Sequence, residues 1–332
     1  MKYLTLILVN MFVFACKITI GSYSFTAVNQ GTINYSIHSL IQTARISIPL
    51  SARLHDAGQV TKVDTSKVFK KGDSVSIEIG YNGQMYPEFN GYVSAITYGS
   101  PLVIDCEDSM FIVRKNHITK SEKNIKLKEI IDLCLNGLYK IEGEVPDMTI
   151  NDFAVKDEPA TNILQNIRND YGLAIFFTPK AKLYCGLLYG YQAGSVKYDF
   201  SINVLPTKNQ LKYLDADETR IKIIAKSWLK TGGLIEAEVG DSDGNTRTLW
   251  FYDIQDQEAL KKRAEAEIDK FKYSGYSGYF TTKLQPYAEI GMNCELNDPK
   301  YTERSGRYYI ESIETTFGHS GSYRKIEPGI KI

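Results

Sequence analysis

The sequence predicts a mainly β chain with an α+β insertion: two β-barrels flanking a smaller α/β domain. Three observations carry this. Two long stretches alternate apolar and polar residues with a period of two. A segment between them shows helical spacing. A phrase in the first β stretch recurs in the last.

The first stretch runs from residue 17 to 114. KITIGSYSF (from Lys17), TARISIPLS (from Thr43), DSVSIEIGYNG (from Asp73), EFNGYVSAITYG (from Glu88) and PLVIDCEDSMFIV (from Pro101) are rich in Ile, Val, Tyr and Thr and punctuated by turn residues. They read as half-buried antiparallel strands of a small barrel or sandwich. Tyr81-Asn82-Gly83 reads as a tight hairpin, because Asn-Gly accepts the positive φ values of a type I′ turn.

Residues 115–208 change character. Ile125, Leu127, Ile130, Ile131, Cys134, Leu135 and Leu138 recur at helical spacing until Gly137 and Tyr139. A second helix opens at Asp157-Glu158-Pro159, with Pro suited to a first turn, and carries Ile163, Leu164 and Ile167 as far as Tyr171-Gly172. LAIFFT and KLYCGLLYG follow as strands around Pro179-Lys180-Ala181.

Over residues 209–332 the alternation returns in ETRIKIIAKSWL, GLIEAEVGD, TRTLWFYDI, SGYFTTKL, MNCELND, GRYYIESIETTFG and YRKIEPGIKI. One helix, DQEALKKRAEAEIDKF, interrupts it, with Leu260, Ala264, Ile268 and Phe271 on one face. In the recurring phrase, GDSVSIEIG (from Gly72) leads to NGYVSAIT (from Asn90), and GMNCELND (from Gly291) leads to GRYYIESIET (from Gly306). Both second strands carry a matched isoleucine, Ile96 and Ile313, which predicts two related β units in one chain.

The chain has 332 residues, 43% of them hydrophobic, with 39 basic against 39 acidic residues. No bulk charge draws it to nucleic acid or anionic lipid, so partners are expected to engage through shape and strand edges. Cys16, Cys106, Cys134, Cys185 and Cys294 are scattered without a CxxC pair and read as buried free thiols. Residues 1–16, MKYLTLILVNMFVFAC, resemble an export signal ending at a lipid-modifiable cysteine. Yet Cys16 runs directly into KITIGSYSF with no polar tether, which favours a barrel edge, and Met11 offers an alternative start to Met1. No stable membrane anchor is expected.

Catalytic, cofactor-binding and metal residues are all expected to be none. His38, His55, His117 and His319 lack metal spacing and a nucleophile context. Asp241-Ser242-Asp243-Gly244-Asn245 places its glycine too early for a calcium loop and reads as a polar hairpin turn. Asp105, Glu107 and Asp108 read as strand-end carboxylates bonded to backbone. The 23 tyrosines, clustered in YSGYSGYF and GRYYIES, read as interface residues, with sugar binding as the alternative.

Several phrases resemble the baseplate hub, or late control protein D, tail proteins of contractile bacteriophages, a fold shared with contractile injection and type VI secretion spikes. KITIGSYSFTAVNQGTINYSI with LIQTARISIPL is similar to that family's opening. KGDSVSIEIGYNG…FNGYVSAITYGSPLVIDCEDSMFIVRK is similar to its most recognisable stretch. NILQNIRNDYGLAIFF, LYCGLLYG and the closing GRYYIESIETTFGHSGSYRKIEPGIKI complete the likeness. The resemblance implies tail-tube-like barrels, no enzyme activity and no cofactors. It also implies a homotrimer presenting a pseudo-sixfold ring that joins a hexameric tail tube protein to a trimeric spike protein, in contact with other baseplate proteins. It places the chain in a virion tail, assembled in the host cytoplasm, and because the sequence stops at Ile332 it expects no fused spike-base or lysozyme domain. The competing reading is an exported β-sandwich surface lipoprotein of the envelope that binds glycans.

Overall fold

The computed structural model describes residues 12–56, 59–216, 220–229, 233–252 and 254–332. The apolar stretch 1–10 and Met11 lie outside the described residues. The chain is mainly β, as the alternation predicts.

Its first part holds β1 (Phe14–Ile20), β2 (Tyr23–Phe25), β3 (Gln30–Ser36), β4 (Thr43–Ile48), β5 (Ser51–Asp56), β6 (Gln59–Asp64), β7 (Ser74–Tyr81), β8 (Gln84–Thr97) and β9 (Leu102–Glu107). Asn82 and Gly83 form the hairpin between β7 and β8 with φ of 54° and 80°, the left-handed pair a type I′ turn demands. β5 and β6 pair only with each other.

The middle holds α1 (Met110–Val113), β10 (His117–Lys126), α2 (Leu127–Leu135), β11 (Ile141–Glu142), β12 (Thr149–Pro159), α3 (Ala160–Tyr171), β13 (Ala174–Phe177) and β14 (Leu183–Gly186). Both predicted helices form and both end on left-handed residues, Asn136 and Gly172. Each starts later than its spacing suggests. Ile125 and Pro159 are strand residues of a long β10–β12 ribbon that the mixed, partly polar sequence does not announce. The helices, the ribbon and the β11–β14–β13 sheet enclose their own core, including Ile130, Ile131, Leu164, Ile175 and Phe177.

The last part holds β15 (Gly194–Asp199), β16 (Lys212–Leu214), β17 (Ile221–Trp228), β18 (Leu234–Gly240), β19 (Asn245–Phe251), α4 (Gln257–Glu267), β20 (Gly275–Ser277), β21 (Phe280–Thr282), β22 (Met292–Asn297), β23 (Gly306–Gly318) and β24 (Tyr323–Lys331). α4 is capped by the Asp256 side chain, which accepts from the Ala259 N–H, and buries Leu260 and Ala264 against β17 and β18. The turn at 241–244 is not a hairpin turn. It crosses the end of β17, because β18 runs antiparallel and β19 parallel to that strand on opposite edges. Trp250 anchors this unit to the α/β unit: its indole sits against Gly172, where a Cβ would be 1.7 Å from the ring.

Twelve strands make one sheet, in the order β15-β22-β23-β3-β4-β9-β8-β7-β1-β2, with β24 and β21 branching from β23. Among the described residues it does not close into a barrel, and the two outer β stretches share one apolar core. The reason is β3. One edge pairs with β4 and the other with β23, so the first stretch spends on the second an edge that closure on itself would require.

The recurring phrase is a structural duplicate in identical register. Ser74↔Tyr92, Val75↔Gly91, Ser76↔Asn90 and Ile77↔Phe89 in the first unit match Asn293↔Tyr309, Cys294↔Tyr308, Glu295↔Arg307 and Leu296↔Gly306 in the second. Both long strands slip register at the same place, between Val93 and Ala95 and between Ile310 and Ser312. Ile96↔Ile104 then matches Ile313↔Ile326, and Ile46↔Ile104 matches Phe280↔Ile326. Gly72 and Gly291 have φ of 93° and 81°, and their N–H groups bond the matched carbonyls of Val93 and Ile310. Each repeat is therefore four strands in the same chain order: β4, β7, β8, β9 and β21, β22, β23, β24.

Gly31 of β3 faces Phe317 of β23 across the joint, and a Cβ on it would lie 2.1 Å from the buried ring. We predict that Gly31→Val destabilises the fold by about 1–3 kcal/mol through overpacking. A urea midpoint equal to that of the parent would show that the ring yields freely.

Candidate functional site: the seam between the two repeats

The segment between β21 and β22 of the second repeat lies against β7 and β8 of the first. Irregular backbone in a core must find partners, and here the first repeat supplies them. The Tyr81 hydroxyl lies 3.5 Å from the Leu284 N–H and 3.4 Å from the Ser322 carbonyl. Tyr86 stacks on Tyr287 with ring centroids 4.8 Å apart.

At the centre Arg324 of β24 meets Glu88 of β8. Glu88 stands in the register slip that follows Ile77↔Phe89, an extra residue whose side chain turns inward. Arg324 is 0% exposed, bonds Glu88 through Nη2, and donates from Nη1 to the Leu284 carbonyl at 2.6 Å. In the repeat register Arg324 occupies the position of Leu102, a plain core residue, since Thr282↔Arg324 matches Ile48↔Leu102. Tyr287 places its ring 5.1 Å from the guanidinium and bonds Glu289 at 3.2 Å. Burial pushes the Glu88 carboxyl up to about 7 against the pull of Arg324, and burial also raises Glu289. Within this seam the Tyr35 hydroxyl and Arg324 Nε are buried without a hydrogen-bond partner among the described residues.

A second polar contact lies where β3 leaves the seam. His38 bonds Glu311 at 3.0 Å, Tyr189 donates to the same carboxylate at 2.8 Å, and the Ser312 and Ser36 hydroxyls are 2.9 Å apart. Burial opposes ionisation of Glu311, but the bonds from His38 and Tyr189 outweigh it and hold the carboxyl below its ordinary value.

The other sequence candidates stay apart. Asp105 pairs with Arg45 and Glu107 with Arg114 at the surface, whereas Asp108 is buried. Asp108 accepts from the Gln42 and Met110 N–H groups at 2.8 and 2.9 Å, and burial pushes it up to about 7. The three carboxylates do backbone and surface bonding and do not converge. His117 bonds Asp157, and the His319 N–H bonds the Asn29 carbonyl. Asp241 accepts from the Ile221 N–H and from Lys272. All five cysteines are free and buried. Among the described residues no group of three His, Cys, Asp or Glu is placed to hold a metal ion, and no helix is long and apolar enough to cross a membrane. The tyrosine clusters differ in part from expectation: Tyr276, Tyr308 and Tyr309 are buried in the shared core, whereas Tyr273 and Tyr279 are half-buried. Their alternation with polar neighbours looks the same whether the far side is core or partner. The seam pair was missed because Glu88 and Arg324 are far apart in sequence and sit in strands with unremarkable polar spacing.

No protein-family model matches the chain, and no curated protein matches it in sequence. Solved structures do match over nearly the whole length. A 43 kDa tail protein of prophage MuSo2 from Shewanella oneidensis superposes with a TM-score of 0.60 at 15% identity, over 95% of this chain and 98% of that one. A tail protein from Neisseria meningitidis MC58 gives 0.59 at 13% identity, over 96% and 97%. The E. coli c3393 protein, described as a component of the type VI secretion system, gives 0.58 at 9% identity, over 95% and 77%. The chain thus has the fold of these tail and secretion proteins.

We predict that Glu88→Gln costs about 3–5 kcal/mol, because it leaves a buried guanidinium that cannot shed its charge. Arg324→Met should cost less at pH 6, since the stranded Glu88 takes up a proton. With the folded-state pKa raised above the unfolded value, that relief is lost as pH rises, so the variant should weaken between pH 6 and 8. Urea unfolding at both pH values checks the order and the trend; equal costs at pH 6 would contradict it.

Proposed function

We propose that the protein is a non-enzymatic hub at the tip of a phage tail or a related contractile machine. In this reading three copies assemble so that their six repeats, as tube-like lobes, form a pseudo-sixfold ring. One rim meets the hexameric tail tube protein, the other holds the trimeric spike protein, and further baseplate proteins pack around the outside. In this reading the chain divides into a first tube-like unit over 17–114, an α/β unit over 115–208 and a second tube-like unit with its helix over 209–332, with β15, inside the second range, pairing β22 of the third.

The observation that carries this reading is the in-register duplication of a four-strand unit within one chain, joined edge to edge through β3. A chain with two like units converts threefold into approximate sixfold symmetry without needing two kinds of subunit. The descriptions of the fold relatives as tail and type VI secretion proteins support a place in such a machine; in this reading the chain sits in a virion tail assembled in the cytoplasm of the host cell.

The lipoprotein alternative finds less support. Cys16 faces the core within β1, opposite Ile79, with its thiol 3.0 Å from the Thr26 carbonyl. A lipid on that sulfur would require the side chain to leave the core.

Mass photometry of the purified chain, alone and with tube and spike partners, should give a species of three times the chain mass. A strictly monomeric protein under all these conditions would overturn the hub reading. Deleting residues 323–332 removes β24, the fourth strand of the second repeat, and should abolish the trimer; unchanged trimers would count against it. Intact mass should show Cys16 without lipid.

A further inference from the structure

Away from the seam, a cleft opens where the α/β unit meets the sheet of β17, β18 and β19. It encloses about 520 Å³, a volume suited to a small ligand. Its two walls differ in chemistry.

One wall is aromatic and held in place. Tyr171 at the end of α3, Trp228 at the end of β17 and Tyr252 just beyond β19 line it, each of them half-buried. The Tyr171 and Trp228 rings have centroids 4.8 Å apart, and Trp228 stacks on Trp250 at 6.2 Å with their planes 9° apart. Trp250 lies against Gly172, and the Tyr252 hydroxyl bonds the Tyr171 carbonyl, so these rings are fixed before any ligand arrives.

The other wall is the β10–β12 ribbon, and it is polar. Lys126 and Thr149 are partners across the ribbon, and Asn151, two residues on, shares their face. Lys126 bonds Asp147 at 2.8 Å, so the two charged side chains that line the cleft neutralise each other. The Thr149 hydroxyl and the Asn151 amide also line it, and neither has a hydrogen-bond partner among the described residues.

The pair of walls selects a ligand class. A phosphate or carboxylate entering the cleft would meet a lysine already engaged by an aspartate. A hydrocarbon would cover Thr149 and Asn151 without satisfying them. A sugar ring answers both walls, because its C–H face suits the aromatic rings and its hydroxyls both donate and accept toward threonine and asparagine. We propose that this cleft is a binding site for a neutral saccharide. The site is complete within one chain, so it stands or falls independently of the hub reading.

Trp228 and Trp250 are the two tryptophans of the chain, so the emission of the full-length protein reports on this aromatic wall alone. The titrants are maltotriose, cellotriose, chitotriose and lactose, with sialyllactose as the anionic counterpart of lactose. The expected result is a saturable change in emission with at least one neutral sugar. Asn151 is exposed, so Asn151→Ala should keep the urea midpoint of the parent while weakening that binding by about tenfold, as for the loss of one ligand hydrogen bond or two. Thr149→Val repeats the measurement at the neighbouring position. No saturable change with any neutral sugar overturns the proposal. Equal affinity in the parent and both variants overturns it as well, since the sugar would then sit elsewhere. Tighter binding of sialyllactose than of any neutral sugar would make the ligand an anion and overturn the assigned class.

Discussion

The structure depends on the two occupied edges of β3. A strand has two rows of backbone donors and acceptors, and here one row serves the first repeat and the other the second. Had both rows stayed within the first repeat, the chain would hold two separate sheets with two small cores. Instead a single apolar interior extends from Ile18 to Ile330, and the side chains at the boundary must suit both units. Side chains at the boundary are matched in size: Ile313 faces Tyr35 across the joint, whereas the Phe317 ring lies over Gly31, where a side chain would not fit.

The seam chemistry is set by the same constraint. The duplicate of Leu102 became Arg324 where the second repeat meets the first, and the register slip in β8 turns Glu88 toward it. A buried ion pair of this kind contributes little net stability compared with packed hydrocarbon, but it strongly disfavours any arrangement that separates its members. Apolar contact tolerates sliding; a guanidinium bonded to a carboxylate and to the Leu284 carbonyl does not.

Much of the fold was legible because period and turn chemistry are local. Asn82-Gly83, the end of α3 at Gly172 and the matched isoleucines Ile96 and Ile313 appear where the residues predict them, and α2 ends at Asn136, just short of the predicted Gly137. What was not legible is long-range. Alternation announces that β3 and β23 are strands but says nothing of which edge each one pairs. It therefore favoured closed barrels, and it read the turn after β18 as a hairpin when β17 lies between the two strands. The β10–β12 ribbon escaped because its buried residues, Ile118, Ile125, Ile150 and Phe153, are too few and too irregularly spaced to mark a period of two. The seam residues were illegible for a related reason: a glutamate in a strand looks solvent-facing until a register slip rotates it inward.

The placement of both repeats on one polypeptide has a kinetic side. Two separate lobes would have to find each other by diffusion and surrender translational freedom to dock. Tethered lobes face each other at a high effective concentration, and the β3–β23 joint forms by loop closure at a rate independent of dilution. The lobes are also made in strict one-to-one ratio, so synthesis itself supplies them in balance.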